Sequence, residues 1–269
     1  MTDYIPFLSK KGYNIVKIFK FVETSGGVFL VCSEKQSDKK YIAKITFLFK
    51  KEDAYVFDTE VQALKYLKSS QVSIFVPKLY ECFKTKTYNI IIMEYINGKS
   101  IFEYHKFGKH QWQSIICQIS LFVALLEKNK ILHNDLWDAN IIIIGTKKEF
   151  LNIGDYKIKT SGILVKVIDY QYTHQYSTKS EINSKIISTS SDEIKTELGW
   201  NTKFHLGGDL NQFYGIISEY PTLPKEYTKV FQSIVIKNSI KNAKFPYTTI
   251  HENLEVHNFM CDLLSKCQI

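Results

Sequence analysis

The chain has 269 residues, 45% of them hydrophobic and 23% charged, a balance that suits one large domain or two small lobes and excludes a disordered or fibrous chain. The formal charge is +8, but residues 1–96 carry 15 lysines against 10 acids and residues 97–269 carry 20 against 17. The excess forms no dense basic stripe, so nucleic acid is not expected as the main partner. No apolar run approaches a bilayer span and the first residues lack the order of a secretory leader, so an intracellular protein without a membrane segment is expected.

Two further compositional facts narrow the chemistry. The five cysteines are scattered and form no C-x-x-C pair, which points to reduced thiols, not to a disulfide frame or a zinc site. All 35 basic residues are lysine. That is the composition expected of an AT-rich genome such as a large DNA virus or a protist, and it leaves no guanidinium fork for phosphate or carboxylate.

In chain order, residues 15–22 and 28–33 read as strands flanking Ser25-Gly26-Gly27, a hairpin signal. Residues 41–47 form a third strand. Phe57, Val61, Leu64 and Lys68 share one face of a helix over 53–68. Residues 76–83 and 89–95 read as two more strands, the second nearly all apolar and hence buried, before Asn97-Gly98 breaks the pattern. A helix over 111–129 follows, with Ile115, Ile119, Phe122 and Leu126 on one face. A strand at 140–144 and a strand-rich stretch to Asp169 come next, in which 149–153 and 156–160 read as an extra hairpin. The polar segment 174–197 reads as a surface loop, and 209–219, 225–237 and 253–265 as helices. The expected fold is α+β and bilobal: an antiparallel sheet lobe with one main helix over 1–96, a hinge near 94–98, and a mostly helical lobe over 97–269.

Chemistry concentrates in Ile131-Leu-His-Asn-Asp-Leu-Trp-Asp-Ala-Asn140, where His133, Asp135 and Asn140 stand in H-x-D-x-x-x-x-N spacing before an apolar strand. Another strand, Val165-Lys-Val-Ile, ends in Asp169. Phosphoryl transfer needs such a set: a carboxylate to orient and deprotonate the attacking hydroxyl, and an amide and a second carboxylate to hold Mg²⁺ against phosphate charge.

These motifs resemble the protein-kinase-like superfamily. The resemblance implies that Asp135 is the catalytic base, and that Asn140 and Asp169 are metal ligands. Tyr41-Ile-Ala-Lys44 resembles the third-strand V-A-I-K, which makes Lys44 the lysine that holds the ATP phosphates and Glu60 its ion-pair partner. By the same resemblance Gly26 and Gly27 belong to the phosphate-covering loop, and Met93 gates the back pocket. Glu94 and Ile96 lie in the hinge that meets adenine, and Ile142 is the apolar floor under the ring. Asp209 resembles the aspartate that braces the catalytic-loop backbone. Three positions depart from the pattern. Val22 and Thr24 stand where glycines are usual, which stiffens the loop, and Ile42 replaces the alanine beside adenine. Asn134 fills the arginine position of H-R-D, so no two-point clamp for an activation-segment phosphate is expected.

The separation of Asn140 and Asp169 by 29 positions, Asp-Tyr-Gln in place of D-F-G, and the lack of A-P-E resemble haspin-type kinases. This implies transfer from Mg²⁺-bound ATP to serine or threonine of a protein substrate. His133-Asn-Asp-Leu136 with Ile168-Asp-Tyr-Gln-Tyr172 also resembles choline and ethanolamine kinases, which keeps a small-molecule acceptor open. A catalytically silent scaffold of the same fold is the third reading.

Overall fold

The computed structural model describes residues 3–22, 27–34, 37, 39–104, 106–177, 180–185, 187, 204–235 and 253–268. A short helix α1 (Tyr4–Lys10) precedes strands β1 (Tyr13–Val22), β2 (Gly27–Glu34) and β3 (Lys40–Phe47). Helix α2 (Lys51–Leu67), a 3₁₀ turn over Gln71–Phe75, and strands β4 (Leu79–Lys84) and β5 (Tyr88–Glu94) follow. The five strands form one antiparallel sheet in the order β1-β2-β3-β5-β4.

Strand periodicity decides what this sheet presents on each side. Val28, Leu30 and Cys32, then Ala43, Ile45 and Phe47, then Tyr88, Ile90 and Ile92 make an outer cluster that Tyr4 and Leu8 of α1 cover. The alternate positions of β5, Ile91 and Met93, join the main core with Phe57, Val61 and Leu64 of α2. Both faces of β5 are therefore buried, as its unbroken apolar run predicts. Lys44 is registered opposite Ile91 and Ile42 opposite Met93, so the pleat aims the lysine at the α2 side. Helix α1 was not expected. Its i, i+4 pair Tyr4/Leu8 is too short a pattern to stand out, and it gains its meaning only from Phe47 and Tyr88, whose rings lie 6.0 and 6.4 Å from that of Tyr4.

The remainder is built on α3 (Lys109–Glu127), whose Trp112, Ile115, Ile116, Ile119, Phe122, Val123 and Leu126 are all buried. A short strand β6 (Lys99–Ser100) comes before it, so this part does not open with a helix as expected. After α3 come β7 (Ile131–Leu132), β8 (Ile141–Gly145), β9 (Phe150–Ile153), β10 (Tyr156–Lys159), β11 (Ile163–Val167) and β12 (His174–Gln175). β6 and β11 flank β8, while β9 and β10 form the expected extra hairpin. Helices α4 (Gly208–Ile217), α5 (Lys225–Ile234) and α6 (Leu254–Ser265) complete the described residues. Tyr214 of α4 stacks on Phe231 of α5 at 4.2 Å.

The surface-loop expectation for 174–197 needs correction where the residues are described. β12 pairs with β7, and Gln175, Ile182, Ser184 and Ile187 are buried. The two isoleucines anchor a polar stretch whose average composition hides them. Residues 178–179, 186 and 188–197 of that segment, and residues 236–237 of the expected helix, lie outside the described residues.

Gly98 marks a tight crossing. A Cβ there would overlap the Ile143 carbonyl and stand 2.7 and 2.8 Å from the Ile142 and Ile144 side chains. Gly145 on the same strand has open space around it. Gly98→Ala should therefore cost about 1–3 kcal/mol through overpacking, and Gly145→Ala should stay within about 0.5 kcal/mol. Urea midpoints at unchanged m-value check this; equal midpoints for the two variants would contradict the crossing.

Candidate active site

Lys44 reaches two carboxylates from distant parts of the chain. Its Nζ donates to Glu60 Oε2 at 2.6 Å and to Asp169 Oδ1 at 2.8 Å. Lys44 and Glu60 are buried, while Asp169 is partly open. Burial alone would lower the Lys44 pKa, but Asp169 and Glu60 outweigh it and hold the ammonium charged. Burial pushes Glu60 up, and Lys44 pulls it back. The Phe29 ring, in register opposite on β2, lies 5.5 Å from Nζ and adds a cation–π contact.

The second half of the site is a loop with its backbone fixed from below. Asp209, in the first turn of α4, accepts from the His133 N–H at 2.7 Å and the Asn134 N–H at 2.9 Å. Gln212, one turn on, accepts from the Leu136 N–H at 2.8 Å. The brace expected of Asp209 is present, whereas Gln212 was not anticipated. Asn134 holds a left-handed conformation at φ 61°, which asparagine tolerates better than most residues. Burial pushes Asp209 up to about 6, against the pull of its two N–H donors.

Asp135 follows directly. Asn140 Nδ2 donates to its Oδ2 at 3.0 Å and to its carbonyl at 2.9 Å. The Trp137 side chain also hydrogen-bonds this carboxylate, a contact sequence reading missed. Burial, reinforced by Asp169, pushes Asp135 up to about 7. Asn140 O accepts from the Ile168 N–H at 2.9 Å, which ties the loop to the strand leading into Asp169. Asp169 itself is left-handed at φ 67° and ψ 67°.

Lys44, Glu60 and Asp169 thus come together, as do Asp135 and Asn140. The two groups are near enough for Asp135 to feel both Asp169 and Lys44. Met93 is buried beside Ile42 in register, and Gly27 opens β2. Ile142 stands on β8 between Ser100 and Lys166, with Gly98 pressed against its side chain. Ile96 accepts from the Gly98 N–H at 3.0 Å. Gly26 lies outside the described residues. Glu94 carries a partner that sequence reading missed: Lys166 Nζ reaches its Oε2 and the Val76 carbonyl, both at 3.1 Å. That lysine alternates with the buried Val165 and Val167 on β11, the one local signal for it.

The donors suit Mg²⁺. Two carboxylates, Glu60 and Asp169, contact one ammonium, and a cation beside Asp169 would relieve the repulsion that helps push Asp135 up. With its Nδ2 committed to Asp135, Asn140 turns its carbonyl oxygen elsewhere. Among the described residues no cluster of three or more His, Cys, Asp or Glu could hold a metal alone.

His133 supports the loop from inside. Its ring sits 4.9 Å from that of Tyr170, and Nε2–H donates to the Ile168 carbonyl at 3.2 Å. Burial lowers its pKa from 6.5 to about 4. The unfolded chain therefore takes up this proton first as pH falls. The stability contribution is full above about pH 6.5 and is lost toward pH 4, by up to about 1.4 kcal/mol per pH unit. The difference in unfolding free energy between wild type and His133→Gln should shrink across that window; a difference independent of pH would contradict a buried neutral imidazole.

Comparison with known proteins agrees with this geometry. Residues 15–193 match the model of the protein kinase domain. A probable serine/threonine-protein kinase, pkgA of Dictyostelium discoideum, is 26% identical over 166 residues, covering 60% of this chain and 11% of that protein. A putative serine/threonine-protein kinase of Acanthamoeba polyphaga mimivirus is 23% identical over 289 residues, covering 99% of this chain and 58% of its own. Myosin light chain kinase 2 of Oryctolagus cuniculus is 24% identical over 58% of this chain and 24% of its own. The chain thus spans less than two thirds of the length of these relatives. Among solved structures, the autoinhibited serine kinase domain of the giant muscle protein titin aligns with a TM-score of 0.53 at 17% identity, over 96% of this chain and 88% of that one, a likeness of fold. With the family match running through strand, helix and catalytic loop alike, the chain belongs to the protein kinase domain family.

Proposed function

We propose that this chain is an ATP-dependent protein kinase that phosphorylates serine or threonine hydroxyls, with Asp135 as the base. The observation that carries this reading is the joint presence of the Lys44–Glu60–Asp169 cluster and the Asp135–Asn140 pair, the parts phosphoryl transfer requires. The names of the relatives support the same acceptor class. The two lobes are 1–96 and 97–269, with nucleotide between them. Lys44 orients the phosphates, and the Met93–Ile96 segment and Ile142 bracket the base. Gly26 and Gly27 cover the phosphates. Asn140 and Asp169 would hold Mg²⁺, which supplies charge neutralisation on the transferred phosphoryl group. Asp135 accepts the hydroxyl proton at its carboxylate, and the hydrogen bond from Asn140 fixes its direction.

The branch we favour is haspin-type. The β9–β10 hairpin fills the long interval between Asn140 and Asp169, and Tyr170 follows the aspartate. Asn134 spends its side chain on the Tyr172 carbonyl at 3.1 Å and is buried. It is therefore unsuited to receive a phosphate, which supports activity independent of activation-segment phosphorylation.

The test is transfer of labelled phosphate from Mg²⁺-ATP to a protein mixture of histones and casein, run beside choline, ethanolamine and an aminoglycoside. Phosphoserine or phosphothreonine should form, and Asp135→Asn should lower the rate by ~10²–10⁴-fold with an unchanged melting curve. A labelled small molecule with no labelled protein would overturn the acceptor class. Full activity of Asp135→Asn would overturn the base.

A further inference from the structure

The loop that carries Asp135 depends on the N-terminus of α4, so whatever fixes that terminus acts on the loop. Three residues converge there. Glu127, the last residue of α3, is buried, and its Oε1 accepts from the Gly207 N–H at 2.6 Å. Its Oε2 lies 3.1 Å from His257 Nδ1 on α6. Asn253, the N-cap of α6, donates from Nδ2 to Asn211 Oδ1 at 2.7 Å and to the Ile234 carbonyl at 3.0 Å. Its own N–H donates to the Leu206 carbonyl at 3.0 Å. Gly207 is left-handed at φ +75°, and a Cβ there would stand 2.5 Å from the Asn253 carbonyl oxygen. The end of α3 and the start of α6 therefore close on the first turn of α4 with no room to spare. From that turn Asp209, and from the next one Gln212, reach the N–H groups of His133, Asn134 and Leu136.

The chemistry of the contact favours a fixed geometry. A carboxylate at a helix N-terminus meets both an N–H donor and the positive end of the helix dipole. Glu127 spans two elements because each oxygen takes a different donor, and Asn253 engages three segments, two through Nδ2 and one through its backbone N–H. None of these three residues touches the reacting groups. All three lie outside the sequence signals for catalysis, and α6 lies beyond the residues that match the family model.

We propose that Glu127, Asn253 and His257 are positioning residues for phosphoryl transfer: α6 and the end of α3 clamp the N-terminus of α4, and through Asp209 and Gln212 they hold the catalytic-loop backbone under Asp135. This rests on the kinase reading for its effect on rate, but the clamp itself has a readout that needs no activity.

The experiment is hydrogen–deuterium exchange of a peptide spanning 131–136, with steady-state kinetics in parallel, on the full chain carrying Glu127→Ala, Asn253→Ala or His257→Gln. Glu255→Gln, an exposed change on the same helix, is the control. Exchange at the loop amides should rise for the three variants and not for the control. The turnover number should fall roughly three- to thirtyfold with the KM for ATP little changed, and Glu127→Gln, which keeps an oxygen for Gly207, should recover part of it. Unchanged loop exchange in folded Glu127→Ala would overturn the proposal. If that variant does not fold, unchanged exchange in His257→Gln and Asn253→Ala together would do the same. Raised loop exchange in the three variants, with a wild type that transfers no phosphate, would keep the clamp and reject the kinase reading.

Discussion

A single buried ammonium organises the cleft. Lys44 takes one carboxylate from α2 and another from the loop after β11, residues 16 and 125 positions away. Burying charges costs free energy, and such a cluster is weak evidence for stability alone, since apolar replacements of the same shape are often as stable. Its cost makes sense if geometry is what it secures. With Glu60 attached, α2 cannot turn or slide without leaving a charge unpaired in the core. With Asp169 attached, the same restraint reaches the helical part of the molecule.

The catalytic loop is held by a different principle. Here backbone N–H groups, not side-chain charges, are the points of attachment, and the acceptors are buried on α4. Asn134 and Asp169 both sit in the left-handed region, where most residues are strained. Each is kept there by neighbours: Asp209 beneath Asn134, and Lys44 on the side chain of Asp169. Asp169 is near enough to Asp135 to push its carboxyl up, and Lys44 near enough to pull it back, so the two halves of the site are coupled electrostatically.

Much of this was legible in the sequence. The H-x-D-x-x-x-x-N spacing, the acid at the end of a strand, and the parity that points Lys44 away from Ala43 and Ile45 are local patterns, and they identify the groups that meet. The helix bearing Glu60 follows from its apolar face. What could not be read locally are partners whose pairing depends on tertiary approach: Lys166 on Glu94 and Glu127 on Gly207. Each is an ordinary residue of its element, and only the packing of α3, α4 and β11 gives it a task. Helix α1 was missed for the same reason, because its seven residues carry too little periodicity without the sheet they cover. Ile182 and Ile187 were hidden by the polar residues around them.

Lys44 joins the sheet to the loop of Asp169, and the proposed function makes that junction the seat of Mg²⁺-ATP. The most direct measurement is the melting temperature of wild type and Lys44→Met as Mg²⁺-ATP is titrated in. Binding to the folded state alone raises wild-type stability with the logarithm of free nucleotide above its Kd. The account predicts that rise for wild type and little or none for Lys44→Met. An equal rise in both proteins, or none in wild type, would contradict it.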